Sequence, residues 1–204
     1  MDHDKINLGK NVRINPMVIG LIGSQVNGKA NFITVGQVYR LNMSPAYIGT
    51  SIHPTHYTAG GIREHKAFSV NIPHCGMADV TDYCGVVSGK KHDKSTLFDL
   101  FYGELGEVAP MIVECPVCFE CKLVDTLEMP SNTLYVGEVV ASYSEKRFVK
   151  DGHPDVEAMN PLLYTATDKK YWSIGSYVAK AYKVGVGYEK KDGSDSEMII
   201  NKKE

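Results

Sequence analysis

Asn27 and Gly28 separate two β-branched runs in "PMVIGLIGSQVNGKANFITVGQVYRLN". A two-residue turn with the twist of its flanking strands needs positive φ, and Asn-Gly meets that demand at low steric cost. The stretch therefore predicts a β-hairpin, which biases the chain toward antiparallel sheet. The rest of the sequence keeps that bias. "PAYIGTSIH" reads as a third strand, and "KAFSVNIP" as another ended by Pro73. Met111 to about Ser144 reads as strands with a turn at "PSN". The helices are short. One is expected from about Ala59 to His65, capped by Thr58, and one in "MADVTDYCGVVSG", capped by Asp79. A third should follow the basic loop "KKHDKSTLFDLF", with Asp93 or Ser95 as cap. A single helical turn is expected in "DGHPDVEAMNP", and a short strand then a short helix in "YWSIGSYVAKAYKVG". There is no regular βαβ alternation. The expected fold class is mainly β with short helices, arranged as an antiparallel barrel and not a doubly wound sheet.

The 204 residues, 43% of them hydrophobic, suit one compact domain over 1–204 with a polar, loose end at 189–204. A formal net charge of -2 provides no global basic field, and no RNA-binding motif is present, so nucleic acid is excluded as a partner. The opening "MDHDKINLGKNVRINP" lacks the apolar core of a signal peptide, and no apolar run approaches the ~18 residues of a membrane span. With five cysteines and no secretion signal, reduced thiols in a cytoplasm are the expectation.

"CPVCFEC" has the spacing of a metal or iron–sulfur site at Cys115, Cys118 and Cys121. The strand period reads it differently. Val113, Cys115, Val117, Phe119, Cys121 and Leu123 fall on one face, while Glu114, Pro116, Cys118, Glu120 and Lys122 fall on the other. The first set is apolar and the second mostly polar. This predicts a half-buried strand with two core thiols and one surface thiol, Cys118. A structural zinc site wants four ligands, and no fourth cysteine is near in sequence. A metal–thiolate protein remains the alternative, with Cys75 or Cys84 brought in by the fold.

Two stretches could hold a phosphate. In "SIHPTHYTAGG" a strand ends in hydroxyl, imidazole and glycine residues before a helix N-terminus, where free N–H groups favour an anion. An ordinary helix cap explains the same pattern. In "SGKKHDKS" three lysines, a histidine and two hydroxyls could neutralise a phosphate, or form a solvated loop. Neither matches a Walker or dinucleotide fingerprint. In "NFITVGQV" the residues Asn31, Thr34 and Gln37 interrupt an apolar strand, and Gly36 would let a flat ring or another backbone approach closely.

In order and spacing these segments resemble the flavin reductase-like, FMN-binding split-barrel family, in its flavoredoxin branch. The matching stretches run from "GKANFITVGQVYRLNMSPAYIGTSIHPTHYTAGGIREHKAFSVNIP" through "TDYCGVVSGKKHDKSTLF", "ECPVCFECKLVDT" and "NTLYVGEVVA" to "DGHPDVEAMNPLLY" and "YWSIG", about residues 15–185. The resemblance implies a Greek-key split β-barrel and a homodimer with FMN near the subunit interface. It places Asn31, Thr34, Val35, Gly36 and Gln37 beside the flavin ring. Ser51, Ile52, His53, His56 and Thr58 fall in the ribityl and phosphate region, and Ser88, Lys90 and Lys94 in a second phosphate loop. Gln37 stands where some relatives carry an aromatic residue, and His53 where they often have a basic or amide one. No metal and no general acid are implied. His153, Tyr164 and Trp172 fall on the substrate side, though core packing explains Trp172 equally well. Met43, Met111 and Met129 read as gap fillers or turn flanks. The activity implied is electron transfer through FMN, either as an NAD(P)H-dependent flavin or ferric reductase or as a flavoredoxin-type carrier fed by a redox protein. Another split-barrel activity, such as that of pyridoxamine-phosphate oxidase-like enzymes, is a further alternative. The roles of Cys84 and Cys118 in electron transfer stay open.

Overall fold

The computed structural model describes residues 4–12 and 15–188, so the polar end expected to be loose at 189–204 lies outside the described residues. The described residues fall into two units, with the boundary between Ile174 and Gly175.

The first unit is built on seven strands: β1 (Gly20–Val26), β2 (Lys29–Val35), β3 (Val38–Met43), β4 (Ala46–Ile52), β5 (Ala67–Ile72), β6 (Val117–Glu128) and β7 (Thr133–Ser144). Their spatial order is β2-β1-β5-β6-β7-β4-β3, and every pair is antiparallel. The hairpin forms as expected: Val26 pairs with Lys29, and Asn27 and Gly28 take φ of 52° and 77°. Beyond Val35 the outcome differs from a single long hairpin. The strand breaks at Gly36–Gln37, and the chain re-enters the sheet as β3, at its opposite edge. Two residues therefore join the two edge strands, and the sheet curls until those edges approach. Ser51 N–H donates to Gln37 O at 3.4 Å, which carries the β3–β4 ladder one residue past Val38 up to the break. The curled but unclosed sheet is a split barrel, with its seam at Gly36.

Helix α1 (Tyr57–His65) packs against β1, helix α2 (Ala78–Val86) lies on β2, and α3 (Val156–Met159) is a single turn capped by Asp155. Two of the expected caps are corrected. The N-cap of α1 is His56, while Thr58 is already inside the helix, accepting a hydrogen bond from Asn31 Nδ2 at 2.7 Å. Asp79 lies in the first turn of α2, after the N-cap Met77. The helix expected after "KKHDKS" does not form. Asp93 accepts from Ser95 N–H and Oγ–H and from Lys29, closing a local turn. The next residue, Lys94, is drawn under the chain. A small sheet flanks the seam: Met17–Val18, β8 (Leu163–Thr165) and β9 (Lys170–Trp172). In the second unit, residues 175–188 contain no helix, contrary to the expectation for "SYVAKAYKVG". Tyr177, Val178, Tyr182 and Val184 are exposed there, and a helix this short needs a packed face to persist.

The core has two layers. Ile22, Ile33, Ile48, Phe68, Val70, Cys121 and Tyr135 fill the barrel. Leu21, Phe32, Phe98, Met111, Ile112, Cys84, Cys115 and Cys118 form a second layer outside it, under α2 and the segment before β6. Cys118 is therefore a correction. It is 1% exposed, because the outer face of β6 is covered and not solvated. Cys115 and Cys118 lie in the outer layer and Cys121 in the inner one, so the sheet separates the three thiols. Met111 is a core filler, while Met43 and Met129 are exposed beside turns. Among the described residues no helix is long and apolar enough to cross a membrane.

Candidate functional site

Two cavities meet beside the seam. The first, about 250 Å³, lies between the start of α1, the end of α2 and the loop after it. Its lining includes Asn31, His56, Thr58, Ser88, Lys90 and Lys94, six of the residues anticipated from the sequence. The second, about 240 Å³, lies at the seam itself and is lined by Val35, Gly36, Gln37, Ser51, Ile52, His53 and His56. His56 belongs to both. Thr34 borders neither: its hydroxyl donates to Thr81 O and ties β2 to α2.

The first cavity is rich in donors. Lys94 is 3% exposed, and its ammonium donates to Phe32 O at 2.9 Å and Cys84 O at 2.8 Å. An ammonium has three N–H groups, so one is left over. Among the described residues no carboxylate pairs with it. Burial pushes its pKa down, and the neighbouring Cys84 thiol offsets part of that. Thr58 Oγ accepts from Asn31, which leaves its own O–H to donate into the cavity. Ser88 Oγ accepts from Lys90 N–H at 3.3 Å and shapes the loop. Cys84 borders the cavity too, but burial raises its thiol to about 11, so it is a poor thiolate source.

The second cavity is flatter and more apolar. Val35 and Ile52 line it with Met17 and Tyr164. A Cβ added at Gly36 would come within 3.3 Å of Met17 and 3.4 Å of the Tyr164 ring, so glycine keeps this wall open. Gln37 and Asn132 provide amides at one end, joined at 3.5 Å, and His53 is fixed by Thr55 Oγ at 2.9 Å. Tyr164 is itself braced. It packs on Tyr171 at 5.7 Å, and Tyr171 O–H donates to Asp82 of α2 at 2.7 Å.

Of the substrate-side residues anticipated, Tyr164 lines the seam cavity, and His153 and Trp172 line neither of these two cavities. His153 sits in a two-residue strand paired to Lys150. Trp172 is half-exposed, donating from Nε1 to Thr165 Oγ at 3.0 Å, so core packing is excluded for it. Met17, Asn132 and Tyr57 line the cavities without having been singled out. Nothing in "PSN" marks Asn132, which is brought in only by β7 pairing with β4. "CGVV", just before the anticipated phosphate loop, was the legible signal for the end of α2.

His56 carries a testable consequence. Its pKa is lowered by burial first, then by His53 and by Lys94. The folded protein thus binds that proton less tightly than the unfolded chain, whose histidine titrates near 6.5. Stability contributed by neutral His56 is complete above about 6.5 and is lost as pH falls through the lower folded value. Thermal midpoints of the apoprotein should decline between pH 7 and 5, and His56→Asn should flatten that decline. An unchanged slope in the variant would remove His56 as its source.

The flavin reductase-like domain pattern matches residues 12–173. The solved structure of flavoredoxin from Methanosarcina acetivorans is 49% identical, with a TM-score of 0.87 over 90% of this chain and 98% of that one. Flavoredoxin of Desulfovibrio vulgaris (Miyazaki F) is 26% identical, with a TM-score of 0.82 over 89% and 99%. An uncharacterized protein of Archaeoglobus fulgidus is 34% identical over 142 residues, 69% of this chain and 79% of that relative. The matched span contains both cavities and the seam between them, and this chain belongs to the flavin reductase-like family.

Proposed function

We propose that this protein is an FMN-binding oxidoreductase that passes electrons through the flavin. The observation that carries the reading is Lys94: a buried ammonium with no carboxylate partner among the described residues, bordering a donor-rich cavity. A buried charge is costly unless it is paired, and here an anionic ligand would complete the pairing. The residue set fits FMN in other respects. Lys94, Lys90 and Ser88 would hold the phosphate, while Asn31, His56 and Thr58 would hold the ribityl chain. Val35, Gly36, Gln37, Ser51, Ile52 and His53 would border the ring, with Thr34 fixing the strand beneath it. Bound FMN supplies the redox chemistry, and the protein positions it and excludes water. Gln37 and Asn132 can hydrogen-bond a polar ring edge, and Tyr164 shields one side of the seam.

The electron donor is either NAD(P)H or a protein partner. The 49%-identical relative is called a flavoredoxin, which favours the carrier over the reductase. We take the functional unit as a homodimer: the edge strand β3 exposes Tyr39, Leu41 and Met43, and an apolar free edge is a pairing surface.

The test is an absorption spectrum of protein purified without added cofactor, with chromatographic identification of the released chromophore. FMN near one per subunit is expected, and a colourless protein that also fails to take up FMN defeats the proposal. Rapid bleaching by NADPH or NADH alone would assign the reductase role, and bleaching only by a reduced redox protein the carrier role. Gly36→Leu should weaken FMN binding by roughly tenfold or more, since one well-filled apolar contact is worth about 1–3 kcal/mol. A titration with unchanged affinity would place the ring elsewhere.

A further inference from the structure

We propose that Tyr171 and Asp82 are positioning residues that couple the two cavities: through them α2 transmits occupation of the phosphate cavity to the Tyr164 wall at the seam. This rests on the flavin reading, and gives the phosphate end of the ligand a path by which it improves the fit of the ring end. Contacts at successive points pin α2 between the cavities. In its last turn, where carbonyls run out of helical partners, Cys84 O accepts from the Lys94 ammonium at 2.8 Å. Gly85, Val86 and Val87, which follow, line the phosphate cavity. Thr81 O accepts from Thr34 Oγ–H, and a Cβ added at Gly85 would come within 3.3 Å of Thr34, so the helix sits directly on β2. On the side toward the seam, Asp82 accepts from Tyr171 O–H at 2.7 Å.

Tyr171 stands directly across from Tyr164 in the β8–β9 pair, with ring centroids 5.7 Å apart. Tyr164 in turn stands over Gly36, where an added Cβ would come within 3.4 Å of its ring. Burial first, and then the bond to Asp82, raise the Tyr171 phenol above its ordinary range, so it stays protonated and keeps donating. A ligand phosphate that draws on the Lys94 ammonium pulls on the same group that holds the last turn of α2. Close-packed elements pass such displacements on and do not absorb them. The helix then shifts with the phosphate, and the Tyr171–Asp82 bond carries that shift to the ring wall. The coupling is reciprocal: a ring seated against Tyr164 strengthens the grip on the phosphate by the same factor.

Riboflavin has the ring and ribityl chain of FMN but no phosphate, so it separates the coupling from the wall itself. Affinities of the apoprotein for FMN and riboflavin would be measured by quenching of flavin fluorescence, in wild type, Tyr171→Phe, Asp82→Ala and Asp82→Asn. Tyr171→Phe and Asp82→Ala should each lower the preference for FMN over riboflavin by roughly fivefold, the size that one hydrogen bond can carry, nearly all of it through lost FMN affinity. Asp82→Asn keeps an oxygen that accepts from Tyr171 and should hold the wild-type preference within about twofold. Equal losses for both flavins overturn the proposal, because Tyr171 would then support the wall without answering to the phosphate. Unchanged affinities for both overturn it too. So does Asp82→Asn falling as far as Asp82→Ala, since the loss would follow the charge and not the bond. If Asp82→Ala does not fold, Tyr171→Phe decides alone, since it removes one hydroxyl and leaves the ring. A wild type that binds neither flavin is a separate outcome, which overturns the flavin reading itself and the coupling with it.

Discussion

Replacing Lys94 by methionine is expected to lower FMN affinity at least 100-fold, about 2.8 kcal/mol at 1.4 kcal/mol per decade. The free protein should change stability by no more than about 2 kcal/mol. Two opposing effects set that second figure. Removing the ammonium strands Phe32 O and Cys84 O, each losing a charge-assisted bond worth about 1.5–3 kcal/mol. It also removes a buried cation without a carboxylate partner, whose desolvation costs several kcal/mol. The two nearly offset each other in the free protein. They would not offset in the complex, where the ligand phosphate would lose the buried cation proposed to face it. Lys91→Met, three residues away and exposed, provides the control and should change affinity less than threefold. Calorimetric titration of FMN and urea unfolding of the apoprotein give both numbers. A Lys94→Met variant that binds FMN within threefold of wild type would show that the phosphate is held elsewhere.

Glu120→Gln is expected to cost about 3 kcal/mol of stability, lowering the thermal midpoint by roughly 10 °C in a chain of this size. Glu120 is 0% exposed on the outer face of β6. One carboxylate oxygen accepts Leu105 N–H at 2.7 Å, and the other accepts Glu104 N–H at 2.9 Å, with Tyr143 O–H at 3.4 Å. Among the described residues no cation pairs with it. It persists because it terminates two backbone donors of the segment that covers the outer core. A glutamine replaces one acceptor by an NH₂ group, which would face a backbone N–H donor to donor. Flavin affinity should change little, since Glu120 borders neither cavity. A melting midpoint within 2 °C of wild type would mean that water replaces the lost acceptor.

Glu120 also explains why part of this fold was hidden in the sequence. The hairpin was legible because Asn27–Gly28 is a local requirement: the turn needs positive φ, and few residues supply it. The strand that ends at the seam cavity and both cavity loops were legible through their order along the chain. The outer face of β6 was not. Glu114, Glu120 and Lys122 make that face look solvated, yet the cover over Glu120 and Cys118 comes from residues 98–112 and from α2, through contacts no period-two reading contains. Lys94 was hidden by the same limit. A run of basic residues reads as one chemical patch, and only the fold shows that Lys90 and Lys91 face solvent while Lys94 is buried. The seam at Gly36 was half visible: its glycine suggested a close approach, but not that the chain there crosses to the opposite edge of the sheet.

The burial of the cysteine run has a practical side. Burial raises all three thiols, Cys118 to about 12, and each lies inside one of the two core layers. Alkylating reagents attack only thiolates they can reach, so the rate at which these sulfurs are labelled measures how often the barrel opens. The sequence that most resembled a metal site thereby serves as a built-in stopwatch for breathing of the fold, one sulfur timing the interior of the barrel and two timing its outer wall.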